Sequence, residues 1–171
     1  MTNLIVFFSR ADENYVCGVL KNLEIGNTKQ IASTIEGLIP ADVFEIKMKT
    51  PYSKGYNQCL DEVQTDLRKN KRPALENQLS SIDGYDTIYL GYPNYWGTMP
   101  MAVFTFLEQF DFTGKTIRPF CTHEGSGFGN SLKDIKKLCP TAKVEKGIAI
   151  LGSQWNMATG EIESWLRSGG R

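Results

Sequence analysis

The chain has 171 residues, of which 41% are hydrophobic and 22% charged, and its nineteen basic side chains are matched by nineteen acidic ones. That is enough chain for one well-filled core, and the balanced charge argues against nucleic acid or an anionic membrane as a partner held by the overall field. Four cysteines without a C-x-x-C pair and a single histidine are poor material for a zinc site or a disulfide framework, so reduced, structural thiols and no metal are expected; the lack of a long apolar run sets a cytoplasmic location and no membrane partner as expectations.

Residues 3–8 form a short apolar run with β-branched and aromatic side chains, as a strand buried on both faces does. The run breaks at Ser9 and Arg10. Residues 10–25 then intervene before Gly26-Asn27-Thr28, and their alternating stretch from Tyr15 to Leu20 could fold as a small hairpin. Beyond Thr28, Ile31 and Ile35 lie four apart on one face of a helix that Pro40 ends. Residues 43–46 alternate like a strand nearer a sheet edge. Within an excursion over 50–73, residues 56–69 read as a mostly exposed helix with Leu60, Val63 and Leu67 on one face. A second strong strand over 84–93 stops at Gly91 and Pro93. An apolar helix over 101–110, a strand over 116–121 and a helix over 131–138 follow. The last strand, 144–151, is interrupted by Gly147; a helix over 160–167 closes the chain, with a frayed tail expected at 168–171.

Strand and helix alternate five times, which predicts an α/β fold: a three-layer, doubly wound parallel sheet with helices on both sides. One domain is expected over 1–171, with inserts at 10–25 and 50–73. Ligands of such sheets sit beyond the carboxyl ends of the strands. The three loops rich in glycine, hydroxyl and aromatic residues follow the first, third and fourth strands, so all three open on that edge.

Each loop suits a different piece of chemistry. The first offers Ser9, Asn27, Thr28 and a helix N-terminus, where free N–H groups and the helix dipole attract an anion; simple capping by Asn27 or Thr28 is the competing reading. It lacks G-x-x-x-x-G-K-[ST] and G-x-G-x-x-G, which leaves a pocket for one terminal phosphate monoester. The second places Asn94, Tyr95, Trp96 and Gly97 between Pro93 and Pro100, suited to stacking on a flat ring. The third offers Thr122, His123, Glu124 and Gly125, whose polar groups could reach a heterocycle edge, although a lone histidine there is more often only solvated. A phosphate pocket, an aromatic platform and a polar-edge loop on one sheet edge describe a mononucleotide with a large flat ring, and FMN fits best.

At these residues the sequence resembles the flavodoxin family. The resemblance rests on Ser9, Gly26-Asn27-Thr28, Pro93-Asn94-Tyr95-Trp96-Gly97 and Thr122-His123-Glu124-Gly125-Ser126-Gly127, and spans residues 4–166. It implies five parallel strands in the order 2-1-3-4-5 and non-covalent FMN. By that match Ser9, Asn27 and Thr28 hold the phosphate, Asn94, Tyr95, Trp96 and Gly97 line the ring, and residues 122–125 approach its other side. Three features depart from the family pattern: the long 10–25 insert, which looks like that of a branch with Ser-Arg-Ala, an excursion and then Gly-Asn-Thr; the cation Arg10 beside the anion site; and neutral overall charge where electron-carrier flavodoxins are strongly acidic. Arg10 either meets the phosphate or pairs with Asp12, Glu13 or another carboxylate of the insert.

The function expected from this reading is redox chemistry through bound FMN, with a redox partner protein or a small acceptor such as a quinone. An NAD(P)H-dependent quinone reductase is one alternative. A flavin-free binding or signalling module of the same topology is the other, although the acidic pair and the aspartate of a phospho-acceptor domain are replaced by Ser9-Arg10 and Pro93-Asn94.

Overall fold

A computed structural model describes residues 2–169; the last two residues of the expected frayed tail lie outside them. Strands β1 (Asn3–Phe7), β4 (Asp42–Glu45), β5 (Thr87–Pro93), β6 (Thr116–His123), β7 (Lys143–Val144) and β8 (Ile148–Leu151) make one sheet. Its order is β4-β1-β5-β6-β7, with β8 also paired to β6, and every pairing is parallel. This is the expected 2-1-3-4-5 order, with the fifth strand divided in two around Gly147. β2 (Asp12–Val16) and β3 (Val19–Leu23) stand apart from this sheet as an antiparallel hairpin.

Five α-helices cover the sheet: α1 (Asn27–Leu38), α2 (Tyr56–Arg68), α3 (Met101–Leu107), α4 (Ser131–Leu138) and α5 (Thr159–Ser168). Apolar side chains on both faces of the strands give two cores. On one face Ile31 and Ile35 of α1 and Ile162 and Trp165 of α5 pack with Ile5, Phe7 and Phe120. On the other, Met101, Val103 and Phe106 of α3 and Ile135 of α4 pack with Leu4, Val6, Ile88 and Leu90. Each fully buried aliphatic side chain contributes about 1.5–3 kcal/mol, so the sheet is held by burial on both faces. β4 is the edge strand, as its alternation suggested, and its first two residues are exposed. Cys59, Cys121 and Cys139 are buried, Cys17 is exposed, and all four are free thiols. Among the described residues no helix is long and apolar enough to cross a membrane.

Parallel register brings Pro93 of β5 beside Thr122 of β6, and His123 of β6 beside Leu151 of β8. The loops that follow these strands therefore begin at one level. Close packing under them leaves little room: a Cβ at Gly91 would lie 2.1 Å from Cζ of the buried Phe120 ring in the next strand. Gly91→Ala is expected to lower stability by about 2 kcal/mol through overpacking, read as a reduced urea midpoint with unchanged slope. An unchanged midpoint would mean that the ring yields freely.

Candidate functional site

The loop after β1 meets the start of α1 in close contact. Ser9 Oγ accepts the Lys29 N–H at 3.1 Å, and Gln30 donates its N–H to the Gly26 carbonyl at 3.2 Å. The main-chain N–H groups of Asn27 and Thr28 have no acceptor among the described residues. Gln30 thus makes the first bond of the helix ladder, Ser9 takes the Lys29 amide ahead of it, and the Asn27 and Thr28 amides are open at the positive end of the helix dipole. The approach of the two segments demands glycine: a Cβ at Gly26 would lie 2.3 Å from Ser9 Oγ and 2.5 Å from the Arg10 carbonyl oxygen.

A cavity of about 320 Å³ opens at this edge of the sheet. From the first loop it is lined by Arg10 and Asn27, from the second by Pro93, Asn94 and Tyr95, and from the third by Thr122, His123 and Glu124. Ser9, Thr28, Trp96, Gly97 and Gly125 stand behind or beside this wall rather than on it. Asn14, Tyr15, Tyr56, Ser126 and Gly152 complete the lining; of these Ser126 stood in the third-loop motif without a role assigned to it, and the other four were not predicted as site residues. Tyr15 sits in the alternating insert and so carried a signal; Tyr56, at the start of α2, and Gly152, after β8, carried none. A larger cavity of about 610 Å³ lies between α2 and segments 48–52 and 71–74, and none of the predicted loop residues reaches it.

The three loops are locked to one another. The hydroxyls of Thr28 and Thr122, both buried, lie 2.7 Å apart. The Asn94 side chain donates to the Gly127 carbonyl at 2.7 Å and accepts the Gly97 N–H at 2.9 Å. Tyr92, at the end of β5, donates to Ser131 Oγ at 2.9 Å, and Ser131 donates in turn to the Phe128 carbonyl at 2.6 Å. Glu124 Oε1 accepts the Ser153 N–H at 2.9 Å and its Oε2 accepts the Cys17 N–H at 3.4 Å, tying the tip of the β2–β3 hairpin to the third loop. His123 accepts the Gly125 N–H at Nδ1, 2.9 Å away, so its proton is on Nε2. Burial holds the imidazole below its ordinary pKa against the opposing pull of Glu124, which keeps Nδ1 available as an acceptor.

Two side chains are placed in ways the sequence did not show. Arg10 pairs with no carboxylate of the insert. Its Nη1 donates to the Glu13 carbonyl at 2.5 Å, and its Nη2 to the carbonyls of Ser53 and Lys54 at 2.9 and 2.6 Å. It thereby joins the β2–β3 hairpin to the segment at 53–54 while still lining the cavity. Trp96 occupies a tight turn in which Tyr95 and Thr98 exchange main-chain hydrogen bonds, with φ of 53° at Trp96 and 84° at Gly97. Such turns need positive φ at both central residues, and here the indole is carried outward. It is 49% exposed and donates to the Leu60 carbonyl of α2 at 3.1 Å, leaving Tyr95 as the aromatic residue of this loop on the cavity wall.

A flavodoxin family model matches residues 22–168. The chain belongs to the flavodoxin family. The match begins within the hairpin, so β1, Ser9 and Arg10 lie ahead of it. A protein from Bacteroides eggerthii described as a flavoprotein is 25% identical, with a TM-score of 0.78 over 97% of this chain and 96% of that one. A flavoprotein from Lactobacillus acidophilus, solved in complex with FMN, is 18% identical with a TM-score of 0.65 over 91% and 97% of the two chains. A Fusobacterium nucleatum flavodoxin bound to flavin mononucleotide is 13% identical with a TM-score of 0.50 over 98% and 96%. The last two likenesses establish shared fold. No curated protein matches the sequence.

The threonine pair offers a direct test of how this flavodoxin-family site is locked. Thr28→Val or Thr122→Val alone leaves one buried hydroxyl without its partner, an expected loss of about 1–3 kcal/mol. The double variant should lose less than the sum of the two in denaturant unfolding. Strict additivity would mean that the two hydroxyls do not depend on each other.

Proposed function

We propose that this chain binds FMN non-covalently at the 320 Å³ cavity and carries out redox chemistry through it. The observation that carries this reading is the open start of α1: the main-chain N–H groups of Asn27 and Thr28 are unpaired, and Asn27 lines the cavity together with Arg10, whose guanidinium bonds only to carbonyls. That donor set fits a phosphate monoester. Family membership and the FMN held by the Lactobacillus acidophilus and Fusobacterium nucleatum structures support the same cofactor.

In this reading Asn27, the Thr28 N–H and Arg10 hold the phosphate, and Ser9 shapes the helix end through Lys29. The Thr28 hydroxyl is engaged with Thr122 and acts by joining the first loop to the third. Pro93, Asn94 and Tyr95 line one side of the ring and residues 122–125 the other. Trp96, Gly97 and the Leu60 contact hold the second loop against α2. The flavin would supply the electron chemistry, and the chain would supply position, electrostatics and exclusion of water. No side chain is required as an acid or base. Neutral overall charge favours a small acceptor over docking to a strongly basic redox protein.

The test is titration of the flavin-free chain with FMN and with riboflavin, which differs only by the phosphate. FMN is expected to bind at least about tenfold more tightly, since charge-assisted hydrogen bonds contribute about 1.5–3 kcal/mol each. The preference should shrink as ionic strength rises. Equal affinity for the two ligands would overturn the phosphate assignment, and uptake of neither would overturn the flavin reading as a whole.

A further inference from the structure

The third loop is pinned by a hydrogen bond whose direction depends on a proton. His123, the one histidine of the sequence, ends β6, and its Nδ1 accepts the Gly125 N–H at 2.9 Å. Gly125 has φ of 135°, a backbone conformation that side chains rarely permit. Among the described residues nothing else bonds to the Gly125 main chain. The loop is otherwise held at its flanks, by the Glu124 carboxylate on the Ser153 and Cys17 amides and by Asn94 on the Gly127 carbonyl.

The imidazole lines two cavities at once: the one of about 320 Å³, and a second of about 180 Å³ shared with Ile150, Gln154 and Glu161. Titratable and charged groups face it from each neighbouring element. Glu124 is beside it on the loop, Glu161 of α5 lines the smaller cavity, and Arg10, Tyr15, Tyr56 and Tyr95 line the larger. The tyrosines are neutral at pH 7 and below, which leaves two carboxylates and one guanidinium in its surroundings. Burial nevertheless holds the ring below its ordinary pKa, so it is neutral in its present arrangement. With one proton on Nε2, the lone pair left to take another is the one on Nδ1 that accepts Gly125. A proton there sets a donor against a donor, and the bond is lost outright.

We infer that His123 is a proton-operated latch on the third loop: neutral, it holds Gly125 at the cofactor cavity, and protonated on Nδ1 it lets the loop go. The imidazolium then has Glu124 and Glu161 as partners, with the smaller cavity to turn into. The latch stands on the geometry of this chain; its consequence, a flavin affinity that falls with pH, rests on the FMN reading given above. The folded state favours the neutral ring, so the latch is closed above about pH 6.5 and opens as the pH falls through the lower folded value. A flavin that needs the closed loop loses affinity about tenfold one pH unit below that midpoint.

The first arm of the test uses labelled, flavin-free chain, with NMR following the His123 ring and the Gly125 amide together as the pH is lowered. The Gly125 protection factor, which already allows for the pH dependence of exchange, is expected to be lost at the midpoint of the ring. In His123→Asn, whose Oδ1 takes the place of Nδ1 and does not titrate, that step should be absent. The second arm measures riboflavin by flavin fluorescence, because the phosphate of FMN itself titrates at about pH 6. Wild-type chain should hold riboflavin about tenfold less tightly one unit below the ring's midpoint than well above it, and His123→Asn should show no such fall. Should His123→Asn fail to fold, coincidence of the ring and amide midpoints in the wild-type chain still decides. Gly125 protection that ignores the ring's titration overturns the inference, as does an equal riboflavin loss in His123→Asn. A chain that takes up neither riboflavin nor FMN at pH 8 overturns the flavin reading, while the Gly125 amide continues to judge the latch, so the two failures are distinguishable.

Discussion

The architecture of the cavity depends on the grip of the Arg10 guanidinium on three main-chain carbonyls. Irregular backbone carries acceptors that no ladder satisfies, and leaving them unpaired away from water costs free energy. Two such segments, the hairpin and the loop at 53–54, converge beside the end of β1, and one planar fork of donors serves both. Carbonyls satisfy the donors of the guanidinium without cancelling its charge. Arg10 therefore keeps its positive charge on a cavity whose lining also includes Asn27 at the positive end of the α1 dipole. One side chain thus ties the hairpin to the segment at 53–54 and leaves a positive charge on the cavity.

The same economy runs through the rest of the site. Parallel register starts the loops after β5 and β6 at the same level, and buried polar contacts then hold them in one arrangement. The Thr28–Thr122 pair couples the first loop to the third, Asn94 couples the second to the third, and Glu124 couples the third to the hairpin and to the segment after β8. A site already fixed in this way loses little freedom when a ligand enters it. The tight turn at Trp96 fits this picture. Positive φ on a bulky aromatic residue is strained, and the indole hydrogen bond to α2 is what holds it there.

Much of the fold was legible because its signals are local. Apolar runs at 3–8 and 84–93 with helical spacing between them specify a parallel sheet, and Gly147 marked where the last strand divides. A Cβ there would lie 2.6 Å from the Phe128 ring and from the Pro119 carbonyl oxygen, so packing requires glycine at this position. The alternating residues of the insert likewise predicted the hairpin. The partners of polar side chains were not legible in the same way. Of the two partners expected for Arg10, a carboxylate of residues 10–25 is not the one it meets; its donors reach carbonyls, which every residue carries and which leave no trace in the sequence. The outward placement of Trp96 depends on the sign of φ in a turn. Glu124 reaches an amide 107 positions away at Cys17, and Tyr56 enters the cavity from a helix whose spacing showed only its apolar face.

If the start of α1 receives the phosphate of FMN, amide NMR reads it at the atoms concerned. Adding FMN to nitrogen-labelled chain should move the Asn27 and Thr28 N–H resonances downfield, as expected for amides that gain an anionic acceptor, while riboflavin leaves them nearly in place. If both amides stay unmoved by FMN while resonances around the larger cavity at α2 shift, the ligand sits elsewhere and the account is contradicted.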